Sequence, residues 1–174
     1  MRITTLILML VVLVTGCANI KNNPLAREDQ KKTEFIVDYK GLEKDALFSE
    51  VIKAMALVFK SSKEVIEMQD RAGGNIVGNG YASFKTQCKG GAFSEMPYEV
   101  SYTIQITVKD EKVRYRYIPT VEKVGMLTEA DLNKMDEEQR AYFTDTECYW
   151  TVLSEYFQTV TDLMSKNIMK DDDF

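Results

Sequence analysis

Between residues 99 and 108 the chain alternates apolar and polar side chains almost without a break. Val100, Tyr102, Ile104, Ile106 and Val108 would leave an extended backbone on one side, and Ser101, Thr103, Gln105 and Thr107 on the other. A period of two is the mark of a half-buried strand. Four charged residues, Lys109-Asp110-Glu111-Lys112, interrupt the pattern, which resumes with Val113, Tyr115 and Tyr117 apolar and Arg114 and Arg116 between them. This predicts an antiparallel hairpin in which Val108 faces Val113, Thr107 faces Arg114 and Gln105 faces Arg116. A sheet built around that hairpin has one packed face and one wet face.

The remaining elements fit round this sheet. Residues 33–39 are rich in β-branched and aromatic side chains, which predicts a first strand. From residue 42 the period becomes helical, with Leu47, Val51, Met55, Val58 and Phe59 on one face. Residues 64–69 and 75–84 predict two further strands joined by a turn at Asp70-Arg71-Ala72-Gly73-Gly74. Gly78 and Gly80 share the inner face of the later strand. Glycine weakens a strand, so the pair predicts a close neighbour, expected to be the first helix. "GGNIVGNG" lacks the Gly-Lys-Ser/Thr ending of a phosphate loop. Residues 123–146 read as an insertion, in which Thr128 and Asp131 are spaced like a helix cap. The last helix carries a stripe of Trp150, Leu153, Phe157, Val160, Met164 and Ile168, with Tyr149 and Tyr156 at its edge.

The N-terminus gives an address. Arg2 precedes an apolar run over residues 6–14, as in a secretory signal. The run is too short to span a bilayer, which takes about 20 apolar residues. Val14-Thr15-Gly16-Cys17 resembles the lipobox of bacterial lipoproteins. That resemblance implies cleavage before Cys17, acylation of its thiol and anchoring in a membrane. Ala18 follows the cysteine, so the aspartate resembling an inner-membrane retention signal is absent. The expected location is the outer membrane, facing the periplasm.

The expected organisation is a signal peptide at 1–16, a lipidated cysteine and flexible tether at 17–32, one domain at 33–169 and an acidic tail at 170–174. The formal net charge of −5 argues against nucleic acid as a partner. The absence of histidine removes the commonest general base and the commonest zinc ligand. No spacing marks a metal site, a cofactor site or a catalytic group, so the expectation is a nonenzymatic protein without cofactor or metal. Once Cys17 is acylated, Cys88 and Cys148 remain in an oxidising compartment. The strand order brings both to one end of the sheet, and a disulfide between them is expected.

Strand, helix, four strands and helix make an α+β fold, a curved antiparallel sheet of about five strands with two main helices on one face. Residues 61–80, "SSKEVIEMQDRAGGNIVGNG", resemble a bacterial family of unknown function with a TBP-like fold. The resemblance implies that fold, in the order βαββββα, and an envelope setting; it brings no catalytic residues. The expected function is a membrane-anchored binding or structural module whose partner is an unknown envelope protein or ligand. The alternatives are a carrier of lipid or a small apolar ligand, or an envelope enzyme without histidine chemistry. The expected partner surface is the wet face bearing Tyr81, Thr103, Gln105, Arg114 and Arg116, with Val77 and Ile118 beside them. Its rival is a monomer in which the insertion or the last helix covers that face.

Overall fold

The computed structural model describes residues 25–59, 65–85, 97–144 and 146–168. Six strands form one antiparallel sheet: β1 (Glu34–Asp38), β2 (Ile66–Asp70), β3 (Asn75–Lys85), β4 (Pro97–Lys109), β5 (Lys112–Val124) and β6 (Leu127–Thr128). Their order is β1-β5-β4-β3-β2, with β6 added to the end of β5. Helix α1 (Lys44–Val58) follows β1, two short helices α2 (Glu129–Leu132) and α3 (Glu137–Thr144) follow β6, and α4 (Glu147–Ile168) closes the fold. The α+β architecture, an antiparallel sheet with two long helices on one face, is the one expected.

The central hairpin has the expected register, with Val108 opposite Val113, Thr107 opposite Arg114 and Gln105 opposite Arg116. Its tip also caps α1. The Asp110 carboxylate accepts a hydrogen bond from the Lys44 amide (2.9 Å) and that of Glu111 accepts one from Gly41 (2.7 Å). Both satisfy main-chain donors at the entry to α1, where Glu43 makes no side-chain cap. Glu111 itself is held at φ 57°.

α1 and α4 lie side by side on one face of the sheet and bury its inward residues. Leu47, Val51, Met55, Ile104, Ile106, Tyr115, Tyr117, Leu153, Phe157 and Met164 are all almost fully buried. Phe157 stacks on Tyr117 with centroids 4.4 Å apart and meets Tyr102 edge-on at 5.2 Å. The interior is rich in phenols whose hydroxyls find partners: Tyr39 with Tyr115 (2.9 Å), Tyr117 with Thr161 (2.9 Å), and Tyr98 with the Phe143 carbonyl (2.9 Å). No buried side-chain polar atom among the described residues lacks a partner.

Four local expectations change. Tyr149, placed at the edge of the α4 stripe, is buried, while Trp150 is only half-buried. Gly78 does lie under α1, where a Cβ would approach Met55 Cε (3.1 Å), but Gly80 makes room for the Tyr102 ring of the adjacent strand. β5 runs through Pro119 to Val124, so the first two residues of the expected insertion, Lys123 and Val124, are strand. Of the expected tether, residues 17–24 lie outside the described residues. Residues 25–32 pack on the domain: Leu25 pairs with Thr146, Ala26 is buried, and Lys32 Nζ reaches Gln158. The cap in the insertion forms as expected, with the Thr128 amide and hydroxyl both donating to Asp131 (3.1 and 2.7 Å).

Candidate functional site

The sheet's second face is the outstanding surface. Both long helices lie on the inner side. α3 is tied there too, because its Phe143 carbonyl accepts from the inward-pointing Tyr98. The rival arrangement, a face covered by the insertion or by the last helix, is therefore not found among the described residues. Tyr81 is 53% exposed and Ile118 41% exposed; Gln105, Arg114 and Arg116 are exposed, and Thr103 and Val77 are half-buried.

Register assembles these residues into rows across the sheet. One row runs Ile36, Arg114, Thr107, Asn75 and Asp70; the next runs Glu34, Arg116, Gln105, Val77 and Met68. A third joins Ile118, Thr103 and Asn79, and Tyr81 stands opposite Ser101. All five expected residues thus share one face. Ile36 (59% exposed) and Met68 (46% exposed) belong to it as well. Sequence reasoning missed them because Ile36 depends on β1 pairing with β5 and Met68 on a register shift where β2 pairs with β3, and neither is written in a period of two.

Polar contacts hold parts of the face in place. Arg114 Nη2 donates to Thr107 Oγ1 (3.4 Å), Thr103 Oγ1 donates to Asn79 Oδ1 (3.2 Å), and Asn79 Nδ2 donates to Glu67 Oε1 (2.6 Å). The Tyr81 phenol is held above its ordinary pKa, first by partial desolvation and then by the Glu99 carboxylate to which it hydrogen-bonds. It stays a neutral donor at physiological pH. The face therefore offers two guanidinium groups, a phenol and separate apolar patches, which suits recognition of a partner with carboxylate and apolar groups.

The two flanking edges are blunted. Tyr117 donates its amide to Thr33 on the β1 side (2.8 Å). Two residues on, Pro119 puts its missing N–H at that same edge, beyond the end of β1, where proline costs no ladder bond. On the other side β3 outruns β2 past Gly78, and there the Tyr156 hydroxyl donates to the Tyr81 carbonyl (3.4 Å).

Cys148 sits in the first turn of α4 and is disulfide-bonded. Cys17 and Cys88, the expected lipidation site and the expected disulfide partner, lie outside the described residues. Among the described residues no group of three or more His, Cys, Asp or Glu could hold a metal ion, and no helix is long and apolar enough to cross a membrane.

Comparison with known proteins places this fold. A DUF4468 family protein from Bacteroides ovatus superposes with a TM-score of 0.55 at 15% identity, over 86% of this chain and 93% of that one. A TBP-like protein from Parabacteroides distasonis gives a TM-score of 0.45 at 9% identity, over 81% and 97% of the two chains. Among curated proteins no match is found. Residues 34–118, which span β1 to the middle of β5 and carry most of the open face, match the family's own sequence pattern. The chain carries a DUF4468 domain, a domain of unknown function with a TBP-like fold.

Proposed function

We propose that this protein is a lipid-anchored module of the bacterial envelope, without catalytic activity, that holds a partner on its uncovered sheet face. The observation that carries the reading is the concentration of Tyr81, Arg114, Arg116, Ile36, Ile118 and Met68 on the side away from both long helices. A surface kept only for solubility has little use for so many exposed apolar groups on one face. The anchor is supported by the apolar run before Val14-Thr15-Gly16-Cys17. Close aromatic packing between sheet and helices favours binding outside the domain over carriage of a ligand between its layers.

Cys148 closes a disulfide in this reading with Cys88. α4 begins over the end of the sheet where β3 stops and β4 starts, with Tyr149 5.1 Å from Tyr98 and 6.0 Å from Phe84. Cys88 lies in the connection between those two strands.

The test is to crosslink the protein in intact cells, then repeat with Tyr81→Thr, Arg114→Thr and Arg116→Thr combined. Thermal stability should hardly change, because exposed substitutions usually stay within about 0.5 kcal/mol each. The crosslinked partner should be lost. Capture at full yield by the triple variant would move the binding site elsewhere.

A further inference from the structure

We propose that the end of the domain built by the start of β4 and the Gly125–Met126 turn faces the lipid surface that holds the anchor, with the residue 126 side chain in contact with it. The inference rests on attachment at Cys17. Leu25 enters the fold by pairing with Thr146, immediately before α4. The first turn of α4 packs through Tyr149 on Tyr98, which stands opposite Val124. The Gly125 amide in turn donates to the Pro97 carbonyl (2.8 Å). Chain entry and the 125–126 turn therefore occupy one end of the sheet.

Length decides which end can meet the membrane. Eight residue steps separate Cys17 from Leu25 and reach at most about 29 Å when fully extended. The opposite end carries the β4–β5 hairpin and the 71–74 turn. From Val124 back to Val113, β5 rises roughly 36 Å. Were that far end against the lipid, Leu25 would stand farther from the surface than its tether reaches. The near end has no such conflict.

Met126 supplies the second observation. At 95% it is the most exposed large apolar side chain among the described residues. It follows Gly125, held at φ 60°, in a tight turn between β5 and β6. Turns favour small polar residues for their own folding, so an uncovered methionine serves no purpose inside the monomer. Glu122, Glu129 and Glu147 near this end point to uncharged lipid rather than an anionic surface as the contact.

The test uses full-length protein in phosphatidylcholine vesicles containing a headgroup-located quencher. A fluorophore is placed in turn at Met126→Cys, Ala72→Cys at the far end, and Gln105→Cys on the open face. The expected result is flotation of all three, with loss of fluorescence at 126 and none at 72 or 105. Inserting a long Gly-Ser segment between Asn22 and Asn23 should then relieve the loss at 126. Flotation with equal quenching at the three sites, or with quenching at 105 alone, overturns the orientation and leaves the anchor standing. Protein that stays in the aqueous phase overturns the anchor and the orientation together.

Discussion

The hydroxyl of Tyr156, midway along α4, lies 3.4 Å from the carbonyl oxygen of Tyr81, whose ring stands on the opposite, uncovered face of the sheet. The same hydroxyl lies 3.4 Å from that of Tyr102. One helix side chain thus closes a strand edge beside the proposed binding face. Tyr156→Phe should cost about 0.5–1.5 kcal/mol, the usual net worth of a hydrogen bond, with its ring packing retained. Urea unfolding measures it, and partner capture should survive.

Gly80 has no freedom to become alanine. A Cβ there would occupy the space of the Tyr102 ring, which packs in turn against Phe157. Overfilling a packed core costs about 1–3 kcal/mol, and Gly80→Ala should reach the upper part of that range. The Tyr102→Leu background should recover part of the loss when the two substitutions are combined. An unchanged unfolding midpoint for Gly80→Ala alone would contradict this packing.

Alkali should loosen the fold through its phenols. Burial raises the pKa of Tyr98 to about 12 and those of Tyr102, Tyr115 and Tyr117 further. The folded state therefore holds these protons more tightly than the unfolded state, whose tyrosines titrate near 10. Their contribution is complete below pH 10 and falls as pH rises through and beyond it. Each such group adds a slope of up to about 1.4 kcal/mol per pH unit. Unfolding free energies measured between pH 8 and pH 11.5 should be flat at first and then decline, and the share of phenolate absorbance that belongs to the buried tyrosines should rise only as unfolding proceeds.

How much of this was readable in advance follows from what each signal depends on. The hairpin register was readable because alternation and a charged tip fix it locally. The pairing of β1 with β5 fixes the place of Ile36 and a register shift in β2 that of Met68, and no local pattern encodes either. Pro119 sits within β5 at an open edge, where its missing donor costs no ladder bond. Tyr149 and Trp150 were exchanged because both fit the α4 stripe at its first turn. Contact with Tyr98 and Phe84 selects Tyr149 for the core. Residues 25–32 looked like a tether because they lack an apolar period, while their docking rests on single contacts such as Lys32 with Gln158.

The disulfide at Cys148 has a mapped outcome. Non-reducing peptide analysis of protein taken from the envelope should join the peptides of Cys88 and Cys148. Closing a loop of that length gives about 4 kcal/mol in the chain-entropy model, so reduction should lower the unfolding free energy by an amount of that order. A free Cys88 thiol in protein from the envelope would contradict the pairing.

Attachment at Cys17 is the claim on which location, orientation and access to a partner all depend. Mass spectrometry of the N-terminal peptide from membrane-extracted protein tests it most directly. The account predicts that residues 1–16 are absent and that the first residue is an acylated Cys17, with membrane partition lost in Cys17→Ala. A mature chain that starts elsewhere with an unmodified Cys17, or a Cys17→Ala protein that remains in the membrane fraction, would contradict it.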